Sequence, residues 1–273
     1  DITSLSDYNL SGMKSIQIER KINLIKDVLS VFTFALYINK MKFDSIHSLA
    51  PKAGFITALA GKIVGTSNRI HIFTGQVWHT KKGFKRFLLK QFDRFIVKLN
   101  TSILVDGESQ RRYLISEGIV NYNNTLVLGK GSISGVDANR FFSNTNIRRK
   151  LRRELKISED SIVFLFMGRV NKDKGIVDLA KAFKNLLLDH NNIFLLIVGY
   201  DEENLIVKIE NIINDDLCFQ YYGSTNMPEE LIQVGDIFCL PSYREGFGTG
   251  VIEASMCKLA VLCSDTYGLS DAI

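Results

Sequence analysis

Short β-branched or aromatic runs alternate with helical periodicity almost without a break from residue 43 onward, and no other feature constrains the fold as much. The runs predict strands at 43–47, 69–73, 102–105 and 125–128, then at 162–167, 193–198, 218–222, 236–240 and 260–263. Helical spacing fills residues 52–64, 84–99, 108–117, 175–189, 202–213, 228–234 and 249–258. Strands that alternate with helices form parallel sheets covered by helices on both faces, so the chain reads as α/β. A Ser/Asn-rich stretch at 143–146 divides the strands into two sets, which predicts one domain over residues 1–146 and another over 147–273.

With 46% hydrophobic residues and 3 prolines in 273 positions, the chain has ample core material, and disordered, collagen-like and disulfide-scaffold classes are excluded. The longest apolar run, residues 28–38, falls short of the roughly 20 residues a membrane span needs, and reads as a buried helix. Cys218, Cys239, Cys257 and Cys263 show no C-x-x-C spacing and suit reduced core thiols of a cytosolic protein. His47, His71, His79 and His190 are too scattered to form a metal cluster. The chain opens at Asp1 without a Met or a signal peptide and reads as an internal piece of a longer protein. Residues 1–146 hold 20 Lys and Arg against 10 Asp and Glu, whereas residues 147–273 hold 14 against 19. One half is strongly basic and the other acidic, so they face different partners.

In open α/β sheets ligands bind beyond the carboxyl ends of the strands, and Gly, small polar and charged residues collect there. After the strand at 162–167 comes Gly168-Arg169-Val170-Asn171-Lys172-Asp173-Lys174-Gly175. This loop sets Arg169 and Lys174 before a helix start, where cations and free N–H groups form an anion site; it also reads as a solvated basic loop. It is not a P-loop, because no G-x-x-x-x-G-K-[ST] follows the strand. After the strand at 236–240 comes Pro241-Ser242-Tyr243-Arg244-Glu245-Gly246-Phe247-Gly248-Thr249-Gly250-Val251-Ile252-Glu253-Ala254. Its three glycines let the backbone approach a ligand, and the helix near Thr249 aims N–H groups at the same place. A diphosphate fits there. Glu253 suits a ribose diol and Glu245 sugar hydroxyls; an early helical Glu that only complements the helix dipole is the plainer alternative.

Together, Gly168-Arg169…Lys174-Gly175, Tyr222-Gly223 and Pro241-Ser242…Glu245-Gly246-Phe247-Gly248…Glu253-Ala254 resemble the donor half of the retaining glycosyltransferases of family 4, whose signature is two glutamates separated by seven residues. In the first half, Ile46-His47-Ser48…Pro51-Lys52-Ala53-Gly54, Phe73-Thr74-Gly75-Gln76-Val77-Trp78 and Gly131-Ser132…Gly135-Val136-Asp137…Phe141 resemble members that build bacterial capsule, exopolysaccharide or lipid-linked glycans.

The resemblance implies the GT-B fold: two Rossmann-like parallel-sheet domains facing a cleft, both incomplete here, with an acceptor-side domain at 1–146 and a nucleotide-sugar donor domain at 147–273. It implies a retaining hexosyltransferase that moves a sugar from a nucleotide-sugar, a UDP-sugar by expectation, to a polyprenyl-diphosphate-linked acceptor. Arg169 and Lys174 then neutralise the donor diphosphate, and Glu253 holds the ribose. Glu245 with the backbone of Gly246, Phe247, Gly248 and Thr249 holds the donor sugar and phosphates. Gly168, Tyr222 and Gly223 complete the donor site, the last two near the base. His47 faces the reacting sugar, with Lys52, Gly75 and Gln76 on the acceptor side. Such transferases carry no cofactor and need no bound metal, which fits the absence of an obvious Asp-x-Asp pair. Where relatives usually have Gly-x-Pro before the next strand, this chain has Lys258-Leu259-Ala260, and an altered loop is expected there.

Residues 81–99 form a basic amphipathic helix: Phe84, Phe87, Leu88, Phe92, Phe95, Ile96 and Leu99 recur at helical spacing among seven Lys and Arg and one Asp. Basic helices of this kind bind anionic membrane surfaces, although the apolar stripe is expected to pack on the sheet. The enzyme is therefore placed in the cytoplasm, peripheral on the inner face of the membrane. Residues 147–156 read as a solvated basic helix. Nucleic-acid binding competes, but the helix aromatics share an apolar face instead of alternating with basic residues on an open surface, so no nucleic-acid partner is expected. The alternatives are a GT-B sugar-nucleotide epimerase and a non-enzymatic nucleic-acid or membrane-surface binding protein.

Overall fold

The structure is a computed structural model that describes Ser15, Ile16, Ile18 and residues 23–215 and 217–273. Helix α1 (Leu24–Met41) leads into β1 (Ser45–Leu49), α2 (Pro51–Val64), β2 (Asn68–Phe73), α3 (Gly83–Leu99), β3 (Ser102–Val105), α4 (Glu108–Ser116) and β4 (Thr125–Val127). The chain continues with α5 (Thr145–Glu154), β5 (Ile162–Met167), α6 (Ile176–Leu186), β6 (Ile193–Val198), α7 (Ile206–Ile213), β7 (Phe219–Gly223), α8 (Pro228–Leu231), β8 (Ile237–Leu240), α9 (Thr249–Met256) and β9 (Ala260–Cys263). The two sheets have the strand orders β1-β2-β3-β4 and β7-β6-β5-β8-β9. By its contacts the chain divides into two compact units: residues 1–72 with 91–103, and residues 73–90 with 104–273.

In the first unit β1 and β2 run parallel, Ser45 opposite Asn68 and Leu49 opposite Ile72. Asn23 caps α1, its Oδ1 accepting the Lys26 N–H, and Pro51 opens α2, where its missing N–H costs nothing. Val31, Ala35 and Ile38 of α1 pack with Ile46, Ile56 and Ala60. The run at 28–38 is nevertheless not buried all round: Val28, Leu29, Phe32 and Leu36 are exposed. An apolar stripe on one side of the helix is enough to hold it on α2 and β1, and the opposite side stays outside.

The second unit carries the larger core. β5 and β6 run parallel from Ile162–Ile193 to Met167–Val198, and every residue of β6 is buried, as expected of a central strand covered on both faces. Phe166, Phe183 and Phe238 fill the space between sheet and helices. Because β5 has β6 on one side and β8 on the other, the strand order reverses at β5 and β8, the position where open α/β sheets form a ligand crevice.

Helix α5 departs from the solvated reading. Arg152 is fully buried and donates to the carbonyls of Val234, Ser158, Glu159 and Ser161 and, at 2.6 Å, to the Asp236 carboxylate. Arg148 holds the other Asp236 oxygen at 2.5 Å. The helix is a clamp that ties residues 158–161 to the segment before β8. Helix α3 departs as well: Ile96 and Leu99 are buried, but Phe84, Phe87, Leu88 and Phe95 are exposed. Lys258 has φ 67°, so a lysine takes the left-handed position that glycine usually takes at a helix end, and α9 still closes into β9.

Candidate active site

Two loops of the second unit carry the candidate donor residues, and close backbone approaches bring them together. A Cβ on Gly175 would lie 2.0 Å from the Pro241 carbonyl oxygen, so only glycine lets the loop after β5 meet the loop after β8. Gly246 is held the same way, its absent Cβ facing the Thr74 carbonyl at 2.4 Å and the Asp106 carboxylate at 2.7 Å.

At this junction the Lys174 ammonium pairs with Glu245 Oε1, which also accepts from Ser242 Oγ at 2.8 Å. Both partners of the ion pair are largely shielded from water. One step outward, Arg244 donates to Asp173 at 2.8 Å, and Thr80 holds the other Asp173 oxygen at 3.3 Å. Burial pushes the Asp173 carboxyl up, but the hydrogen bond and charge of Arg244 outweigh it and hold the group below the usual carboxylate range.

Arg169 is exposed and sits on Glu202, 3.1 and 3.3 Å from its two oxygens. Buried Asn171 works in two directions: its Nδ2 donates to Glu202 at 2.8 Å, while its Oδ1 accepts the Lys174 N–H at 3.2 Å. Tyr222 is exposed at the end of β7, and the Gly223 carbonyl accepts from the Gly199 N–H at 2.8 Å.

Helix α9 begins after Gly248, whose φ of 77° makes the turn, and no side chain caps its first N–H groups. These amides are donors available to an anion. Phe247 is buried and anchors the turn. On the second turn of α9, half-buried Glu253 accepts no side-chain hydrogen bond among the described residues. Burial raises its pKa, the positive charge of Arg140 opposes that, and Glu229 adds to it. Arg140 itself is 2.7 Å from Glu229.

The structure thus brings Lys174, Glu245, Gly246, Phe247, Gly248 and Thr249 together, with Arg169 on the same loop as Lys174. It also brings in Gly75 and Gln76, which sequence analysis put on the acceptor side: the Gln76 N–H donates to Tyr267 Oη at 3.1 Å, and Gly75 lies against Gly246. His47 and Lys52 belong to the first unit. His47 lies on the exposed face of β1, and Lys52, in the first turn of α2, pairs with Asp27 at 2.7 Å. Sequence reasoning did not single out Glu202, Asn171, Arg140 or Glu229. The acidic pair Glu202-Glu203 after the strand at 193–198 was the available signal.

Residues 147–273 match the family model described as glycosyl transferases group 1. Over 278 aligned residues the chain is 29% identical to the capsular polysaccharide biosynthesis glycosyltransferase CapM of Staphylococcus aureus, covering all of this chain and 72% of that protein. It is 25% identical to the UDP-Gal:alpha-D-GlcNAc-diphosphoundecaprenol alpha-1,3-galactosyltransferase of Escherichia coli, covering 97% of this chain and 69% of that one. Its fold is similar to that of HepE from Anabaena, solved with UDP and glucose, with a TM-score of 0.76 at 16% identity over 93% of this chain and 68% of the other.

Proposed function

We propose that the chain, whose residues 147–273 match the model of glycosyl transferases group 1 and which has the two parallel-stranded sheets of the GT-B fold, moves a sugar from a UDP-sugar to a polyprenyl-diphosphate-linked acceptor in bacterial surface polysaccharide synthesis, with retention at the anomeric carbon. The observation that carries this reading is the apposition of Lys174, Glu245 and the uncapped start of α9. The pair supplies a cation and a hydroxyl-binding carboxylate, and the helix that starts four residues after Glu245 supplies free amides. The E. coli relative, by its name, takes its sugar from UDP-galactose and works on a diphosphoundecaprenol glycan, which supports the donor and acceptor classes.

In this reading the bond between the anomeric carbon and the diphosphate oxygen breaks, the acceptor oxygen bonds to that carbon, and the acceptor proton passes to the departing phosphate. Arg169 and Lys174, with the amides of residues 246–249, take up the charge that develops on the leaving diphosphate, so the step needs no metal. Gly168 leaves room for the phosphates. Glu253 binds the ribose diol, Tyr222 and Gly223 border the base, and Glu245 holds the donor sugar. His47 serves the reacting sugar, and Lys52, Gly75 and Gln76 serve the acceptor. We keep the division of labour at residue 146, acceptor side before and donor side after.

The membrane partner follows from the start of α3, where exposed Phe84, Phe87 and Leu88 stand beside exposed Lys85 and, just before the helix, Lys82. No helix among the described residues is long and apolar enough to cross a membrane. An interfacial attachment to an anionic inner leaflet fits both facts, and nucleic acid has no part in it.

The deciding experiment is calorimetric binding of UDP, GDP and ADP to the full-length protein in EDTA, beside Glu253→Ala. Selective UDP binding that is lost in the variant is expected. Failure of the wild-type protein to bind any of the three overturns the reading.

A further inference from the structure

The loop after β6 presents a carboxylate to the cation that the donor diphosphate would claim. Two strand ends are zipped together here: Val170 pairs with Asp201, the Val170 N–H donates to the Tyr200 carbonyl at 2.8 Å, and the Glu202 N–H donates to the Val170 carbonyl at 3.0 Å. This ladder fixes the backbone of Glu202 beside Arg169. The Glu202 side chain is then fixed from below by Asn171 Nδ2 at 2.8 Å, and Asn171 is 7% exposed. Arg169, by contrast, is exposed on a flexible stem. The carboxylate is the anchored partner and the guanidinium the mobile one.

We propose that Glu202 is an internal counter-anion of the donor site, which holds Arg169 between turnovers, yields it to the nucleotide diphosphate, and reclaims it as the nucleoside diphosphate leaves. The inference rests on the donor-site reading given above. A carboxylate and a phosphate oxygen ask the same geometry of a guanidinium, so the two compete for Arg169. Glu202 thereby weakens diphosphate binding and speeds product release, a step that limits many transferring enzymes. Asn171 is a positioning residue, because its Oδ1 accepts the Lys174 N–H while its Nδ2 holds Glu202. It couples the counter-anion to the turn that carries the second cation.

The test is a double-mutant cycle on the full-length protein, with UDP affinity from calorimetry and the UDP dissociation rate from stopped flow for wild type, Glu202→Gln, Arg169→Gln and the double variant. Glutamine keeps the shape of Glu202 and an oxygen for Asn171, and Glu202→Ser serves as a second variant should Gln disturb folding. Expected are UDP binding about two- to fivefold tighter in Glu202→Gln, in line with a solvent-screened ion pair, a slower dissociation rate, and no gain from Glu202→Gln when Arg169 is already Gln. Unchanged or weaker UDP binding in a folded Glu202 variant overturns the proposal, and so does an equal gain in the Arg169→Gln background, which would be a general field effect. Wild-type protein without nucleotide affinity instead overturns the donor reading itself.

Discussion

Arg140 stands 2.7 Å from Glu229, and its charge also reaches Glu253, whose carboxyl lies on α9 and accepts no side-chain hydrogen bond among the described residues. The three residues come from a loop, α8 and α9, and the arginine is shared between two acids. Burial raises the Glu253 pKa, Arg140 works against that, and Glu229 works with it. If Glu253 binds a ribose diol as the carboxylate, UDP affinity falls as pH drops through its raised pKa. In Arg140→Ala the opposing charge is gone and Glu229 is uncompensated, so the fall begins at higher pH. Calorimetric titration from pH 5 to 8 in both proteins checks this; superimposable pH profiles would remove Arg140 from the Glu253 environment.

Glu245 and Lys174 form a largely shielded pair, and truncating one partner leaves the other charge without compensation. Glu245→Ala is expected to lower the stability of the nucleotide-free protein by about 2 kcal/mol. If Lys174 binds the diphosphate as proposed, saturating UDP is expected to give it a new anion and to restore part of the deficit by linkage. Urea midpoints with and without UDP measure both effects; a deficit that UDP leaves untouched would separate Lys174 from the nucleotide.

The clamp at Arg152 carries the heaviest structural consequence. Its five carbonyl and carboxylate partners lie in residues 158–161 and 234–236, and Arg152→Ala removes their shared donor, although Arg148 and the Val163 N–H still hold Asp236. A loss of about 1–3 kcal/mol is expected, because the buried Val234 carbonyl loses its main donor. The same cluster sets an acid limit. Burial raises the Asp236 carboxyl, but the Val163 N–H and the charges of Arg152 and Arg148 bring it below the usual range. A carboxyl depressed in the folded state stabilises fully above its unfolded pKa, near 3.8, and that contribution disappears as pH falls through the lower folded value. Acid unfolding followed by circular dichroism in wild type and Asp236→Asn is expected to diverge above pH 4 and converge below it.

Much of this arrangement is legible in the sequence because the apolar runs at the centre of the second sheet are largely buried and bounded by glycine and polar residues. The runs at 162–167 and 193–198 match β5 and β6 residue for residue. The first strand starts two residues later than its apolar pattern, since its pairing with β2 begins only at Ser45 opposite Asn68. Helix α7 starts four residues later than its periodicity, because the Asp201 carboxylate takes the Leu205 and Ile206 N–H groups at 2.9 and 3.0 Å and fixes the turn before it. Arg169 and Lys174 stand out as cations at a strand end. Their carboxylate partners do not, because Glu202 reaches Arg169 only through the tertiary pairing of Val170 with Asp201. Likewise the burial of Arg152 depends on carbonyls far along the chain, which no local pattern announces.

The exposed start of α3 makes the last prediction. Phe84, Phe87 and Leu88 are 74%, 54% and 50% exposed, and this apolar surface has basic neighbours on the same helix turns. Apolar insertion and charge attraction then add. Each Lys near an anionic surface contributes about 1 kcal/mol, so Lys82→Gln with Lys85→Gln is expected to weaken binding to anionic vesicles by about thirtyfold while leaving weak binding to neutral vesicles as it was. Phe84→Ala with Phe87→Ala is expected to lower binding to both, because the inserted area is lost whatever the headgroup. Raising salt from 50 to 500 mM mimics the lysine changes in the wild-type protein by screening. Vesicle co-sedimentation measures all three, and equal partitioning of the wild-type protein onto neutral and anionic vesicles would leave the charge on α3 without a membrane role.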